Sequence, residues 1–120
     1  MNIQTGSIRP DAVTFIKKVG IKQRTVNFDI IETEDGGFQW NSATLNLGEW
    51  SYSAIVRAII YSRYNADQIE AINSNITRLM FDAGSVTEEK AVEYREEAMA
   101  FQAWRDHAKE IAKEILGSEQ

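Results

Sequence analysis

The chain has 120 residues, a formal net charge of −5, 43% hydrophobic and 26% charged residues, and no cysteine. Its length suits one ordinary globular domain, and the missing cysteine excludes disulfides, iron–sulfur clusters, thiolate zinc sites and cysteine nucleophiles. Neither a long apolar run nor a basic-then-apolar leader is present, so no membrane span or export is predicted. We therefore expect a single cytoplasmic domain over residues 1–120.

The charge is distributed unevenly along the chain. Residues 1–28 carry five basic side chains and one acidic, whereas residues 29–120 carry eight basic and seventeen acidic. An acidic body disfavours nonspecific nucleic-acid binding, which depends on neutralising phosphates. Four basic residues nevertheless cluster near the N-terminus: Lys17, Lys18, Lys22 and Arg24. We interpret them as a charged edge strand, with a nucleic-acid or phosphate-binding patch as the alternative.

Residues 12–47 are predicted to be rich in β-structure. Residues 10–20 could begin a short helix at Pro10, but the alternation of Val13 with Phe15 favours a strand. Residues 24–32 alternate apolar and polar side chains and predict a second strand. A turn at residues 35–36 then leads to a strand over residues 38–45, which gives an antiparallel hairpin.

A two-residue turn fixes the register of this hairpin. It would place Phe28 opposite Ala43 and Val26 opposite Leu45. The other face would collect three apolar residues: Ile31, Phe38 and Trp40. Because a lone hairpin is marginal in water, we expect helices on one face and the N-terminal segment or another chain on the other.

Residues 51–117 are predicted to be helical. Apolar residues recur at steps of three and four within residues 51–64 and 65–80, and Asn65 with Gln68 forms a capping-box pattern. A third helix is capped by Ser85 or Thr87, and Gly117 is its expected stop. At roughly 30 residues it would be about 45 Å long, so it should project, kink or pair with a second chain.

The only histidine, His107, is the first residue to consider for catalysis or metal binding. It lies at the edge of the apolar stripe of the last helix, one turn before Glu110. A di-metal centre of the helical-bundle type requires two Glu-x-x-His motifs, and zinc hydrolases require about three ligands. We therefore interpret His107 as a boundary residue without a catalytic or metal-binding role.

The acidic run over residues 88–97 is a second candidate for a cation site. Glu89, Glu93 and Glu97 follow at four-residue steps, where like charges repel one another slightly. A single helical ridge does not supply converging ligands for a hard cation. A solvated or partner-facing surface is the simpler interpretation.

Part of the chain resembles a group of short uncharacterised proteins encoded in prophage-like tail regions of gut bacteria. The similar segments are "WSYSAIVRAIIYSRYNADQIEAINSN" and "FQAWRDHAKEIAKEIL", and the resemblance covers about residues 50–116. The shared positions include an "I-x-x-x-Y" helix end and "F-x-x-[WY]-R-x-x-A-K-x-I-A" in the last helix. These are helical packing positions, so the resemblance implies a phage-associated accessory or structural role and transfers no catalytic residue.

Together, these patterns predict an α+β domain in which a β-hairpin or a small three-stranded sheet packs against three helices, the last one long. We expect a non-enzymatic interaction or assembly module, without a cofactor, that binds another copy of itself or another protein. The candidate interface consists of five aromatic residues: Phe38, Trp40, Tyr94, Phe101 and Trp104. The alternative is a small regulatory protein that binds nucleic acid or a phosphate-bearing ligand through residues 17–24.

Overall fold

The computed structural model describes residues 3–18 and 21–118, except for the side chains of residues 15–18, 21, 22, 47 and 118. Two short 3-10 turns accompany the main elements, at Leu47–Glu49 and Ala83–Ser85. The strands are β1 (Ile3–Gly6), β2 (Val13–Lys18), β3 (Ile21–Glu32) and β4 (Phe38–Asn46). The helices are α1 (Tyr52–Tyr61), α2 (Ala66–Phe81) and α3 (Glu88–Ser118).

The strands described here form one antiparallel sheet in the order β1-β4-β3-β2. The α+β class and the long last helix are therefore confirmed, and residues 13–18 form the strand that the alternation of Val13 and Phe15 favoured. The sheet is larger than predicted because β1 adds a fourth strand at the edge beside β4. Its four residues, IQTG, are too few to show a periodic pattern in the sequence.

The predicted hairpin register is wrong by two residues. Val26 pairs with Ala43, and Phe28 pairs with Asn41. One cause is the turn, which has three residues: the Thr33 amide donates to the Gly37 carbonyl at 2.9 Å and encloses residues 34–36. Gly36 has φ of 84°, a conformation that glycine adopts without steric cost.

A β-bulge in β3 is the second cause of the register error. Asp29 and Ile30 together lie opposite a single residue of β4, after which Ile31 pairs with Gln39. Because of the bulge, Ile31 lies on one face of the sheet and Trp40 lies on the other. The predicted cluster of Ile31 with Phe38 and Trp40 therefore does not form. Ile31 is 55% exposed.

Local hydrogen bonds begin all three helices where the sequence predicted, and at α3 the Thr87 hydroxyl accepts from the Lys90 amide at 3.3 Å. The Ser51 hydroxyl accepts from the Ala54 amide at 3.2 Å in front of α1. Asn65 and Gln68 form both bonds of a capping box, each 2.8 Å long. Among the described residues, no helix combines the length and apolarity that a bilayer crossing requires.

The core lies between one face of the sheet and helices α1 and α3. Ile55 and Ile59 of α1 and Val26 of β3 are fully buried. Helix α3 contributes six buried side chains, and all of them lie at or after residue 101: Phe101, Trp104, Ala108, Ile111, Ala112 and Ile115. By contrast, residues 73–100 include no buried residue. We call this segment, which holds most of α2 and the first half of α3, the helical arm.

Candidate interaction surfaces

Two of the five predicted interface residues lie in the core of the chain itself. Phe101 and Trp104 are 7% and 6% exposed. The Trp104 indole N–H donates to the Ile59 carbonyl at 3.3 Å, and the Phe101 ring meets the edge of Tyr64 at 5.0 Å between centroids. The prediction that Phe101 and Trp104 form an interface with another chain is therefore wrong. Periodicity identified an apolar stripe, but the partner of that stripe is α1 and the sheet of the same chain.

The other three predicted interface residues are half-buried. Phe38 and Trp40 lie on the sheet face that points away from the core helices, and Tyr94 lies on the helical arm. A Cβ atom at Gly6 would come within 3.1 Å of Cη2 of Trp40, so β1 already covers part of this indole. Phe38 and Trp40 lie on one face of β4, whereas Tyr94 belongs to α3.

The basic segment at residues 17–24 spans the hairpin between β2 and β3. The register places Lys17 directly opposite Lys22 and Lys18 opposite Ile21, although these side chains lie outside the described part of the structure. Arg24 is described, and its guanidinium lies 4.5 Å from the ring centroid of Trp50. A stacked guanidinium of this kind contributes to packing as well as to charge.

His107 contacts the bulge of β3. Its Nε2 lies 2.7 Å from Oδ1 of Asp29, and Asp29 has φ of 52°, a left-handed conformation that non-glycine residues adopt at a cost. The corresponding bulge position usually holds glycine. The contact therefore ties a strained strand residue to α3, 78 positions further along the chain.

This pair lies beside a cleft of about 550 Å³ that Arg9, Glu110 and Glu114 also line. A carboxylate bonded to an imidazole can orient a general base, but acyl-transfer chemistry also requires a nucleophile within reach. The described lining residues include no serine, threonine or cysteine. No three histidine or carboxylate side chains of the described residues are grouped to hold a metal ion. Within the structure, the pair joins the bulge of β3 to α3.

A second concavity, the α1–α3 groove, has a different chemical character. It encloses about 400 Å³ between helices α1 and α3, and α2 lies at one end. Val56, Ile60 and Phe101 form apolar walls, and three cations share the same groove: Arg57, Arg105 and Lys109. None of its described lining residues is a carboxylate. The sequence alone does not reveal this site, because its walls come from helices about fifty residues apart.

The helical arm presents a third surface, which is both apolar and acidic. Four large apolar side chains are exposed there: Met80 at 71%, Phe81 at 81%, Val92 at 47% and Met99 at 71%. The arm carries six carboxylates and three cations. Lys90 Nζ lies 3.1 Å from the Glu93 carboxylate, and this hydrogen bond, with the surrounding negative charge, raises the pKa of Lys90 above its usual value.

Comparison of the chain with protein-family models, with curated proteins and with solved structures finds no match. The geometry of the surfaces described above is therefore the basis for a functional assignment. The resemblance to prophage-encoded proteins remains an expectation from the sequence.

Proposed function

We propose that this protein is a non-enzymatic interaction or assembly module that forms homo-oligomers through its helical arm. The observation that carries the proposal is the arm itself, in which residues 73–100 contain no buried residue while four large apolar side chains are exposed. In the proposed oligomer, a second copy of the chain covers these exposed side chains.

The energetics of this surface favour a partner. Fully burying a methionine, valine or phenylalanine side chain contributes about 1.5–3 kcal/mol. The four side chains are already partly buried, so covering their exposed fractions contributes about 4–8 kcal/mol from one chain. The loss of translational and rotational freedom on association costs roughly 4–15 kcal/mol. The free energy gained by burying the exposed apolar side chains of one arm is thus comparable to the free-energy cost of association. The side chains that the partner buries would add to this gain.

The proposed setting is a phage-associated accessory or structural role in the cytoplasm. The resemblance over residues 50–116 supports the first part. The absence of cysteine, which suits a reducing compartment, supports the second.

Light scattering during size-exclusion chromatography tests the proposal over a hundredfold range of protein concentration. We expect the wild-type chain to remain a dimer or larger species on dilution. The variant Val92→Ser/Met99→Ser should shift toward the monomer, because it removes two of the exposed apolar side chains. Ile8→Ser is the matched control, since Ile8 is 80% exposed but lies in the loop before β2. A wild-type chain that is monomeric at every concentration would contradict self-assembly.

A further inference from the structure

The three cations of the α1–α3 groove lack counter-charges in the described part of the chain. Arg57, Arg105 and Lys109 line the groove, none of its described lining residues is a carboxylate, and none of the three cations forms an ion pair among the residues described. The whole chain has a net charge of −5, so a carboxylate-free site with three cations is a local exception. An acidic occupant would supply the missing charge.

Apart from Ser53 and Asn73, the rest of the described lining is aliphatic or aromatic, and the groove is open. Tyr52 and Tyr61 lie at its two ends along α1 and are 38% and 50% exposed, and Val56 and Ile60 lie between them. Helix α1, which runs from Tyr52 to Tyr61, is about 15 Å long. An apolar trough of this length between two helices fits an amphipathic helix, which would place apolar side chains on the walls and charges at the rim.

The helical arm carries a stripe with the matching chemistry. Glu89, Val92, Glu96 and Met99 follow at steps of three, four and three residues, so they share one side of α3. All four are exposed. The stripe extends over about 15 Å, since ten residues at 1.5 Å each separate its ends. Its acidic residues match the cations of the groove, and its apolar residues match the apolar walls.

The stripe cannot reach the groove of its own chain. Helix α3 is continuous over 31 residues and contributes both Val92 of the stripe and Arg105 of the groove. Thirteen residues separate these two positions, which keeps them about 20 Å apart along a rigid helix. Only a second chain can bring the stripe to the groove.

We propose that the stripe Glu89, Val92, Glu96 and Met99 of one copy docks into the α1–α3 groove of another copy. This inference rests on the proposed self-assembly and identifies the two surfaces that meet. Arm and groove are different surfaces, so two copies exchange arms in a closed dimer, or successive copies join head to tail. Arg57 and Arg105 face the glutamates, and the tyrosines contact Val92 and Met99.

Charge reversal on each surface tests the docking in the full-length chain. The groove variant is Arg57→Glu/Arg105→Glu, and the arm variant is Glu89→Lys/Glu96→Lys. Each variant alone opposes like charges across the contact, so we expect its dissociation constant to rise at least tenfold. An equimolar mixture of the two restores opposite charges at every arm–groove contact, and the assembled mass should return.

Arg9→Glu/Lys113→Glu is the control, because it changes the net charge as the groove variant does but lies outside both surfaces. Circular dichroism of each variant checks that the helices remain folded. If the wild-type chain assembles and either variant keeps the wild-type mass, or the mixture fails to reassemble, the docking proposal is wrong and self-assembly through another surface stands. A wild-type chain that never assembles overturns both proposals.

Discussion

Asp29 provides a test of how the bulge in β3 is stabilised. At ordinary strand positions alanine is more stable than glycine by about 0.5–1 kcal/mol, because glycine loses more backbone freedom on folding. Asp29 has φ of 52°, however, and this left-handed conformation costs a residue with a Cβ atom about 1–2 kcal/mol. We therefore predict that the usual order of alanine and glycine is reversed at this position.

The magnitude follows from the two contributions. Both Asp29→Ala and Asp29→Gly remove the contact with His107, which contributes about 0.2–1 kcal/mol because the two side chains are 33% and 45% exposed. Only glycine also removes the backbone strain. The difference between strain and backbone entropy leaves Asp29→Gly more stable than Asp29→Ala by about 0.5–1 kcal/mol.

Urea unfolding followed by tryptophan fluorescence measures this difference at one fixed protein concentration, since oligomerisation also affects stability. With a denaturant dependence of about 1–3 kcal/mol per molar urea, the two midpoints should differ by about 0.2–1 M. Thr44 is the control position, because it is exposed on β4 and lacks positive φ. If alanine is the more stable replacement at Asp29 as well as at Thr44, the strain argument is refuted.

Two further predictions concern the hairpin turn and the core. The Asp35 carboxylate accepts hydrogen bonds from the Thr33 hydroxyl and the Gly37 amide, and these bonds lower the pKa of Asp35 below the usual 3.8. The ionised carboxylate therefore stabilises the fold above pH 3.8, and this stabilisation is lost as the pH falls below that value. Asp35→Asn should thus be less stable than wild type at pH 7, and the gap in urea midpoint should close in strong acid; a gap that is independent of pH would contradict the assignment. Trp104→Ala should lower the free energy of unfolding by about 3–5 kcal/mol, because the indole is buried in the core. A variant that unfolds like wild type but fails to assemble would instead restore Trp104 to an interface.

Local features of the sequence determined the helical part of the fold. The cap at Ser51 and the capping box of Asn65 and Gln68 act within four residues, so the helix starts could be predicted without tertiary information. The apolar stripe through Phe101 and Trp104 was equally visible, because a helix buries residues at a fixed period. Periodicity states which side of a helix is apolar. It does not state what covers that side.

Only the tertiary structure decided the features that depend on distant residues. The bulge at Asp29 is supported by His107, and β1 pairs with a strand more than thirty residues further along the chain. The α1–α3 groove exists because Arg57 and Arg105 come from separate helices that pack side by side. The physical reason is the same in each case: local sequence specifies hydrogen bonds and periodicity, whereas register, burial and charge neighbours are set by packing between segments that the sequence separates.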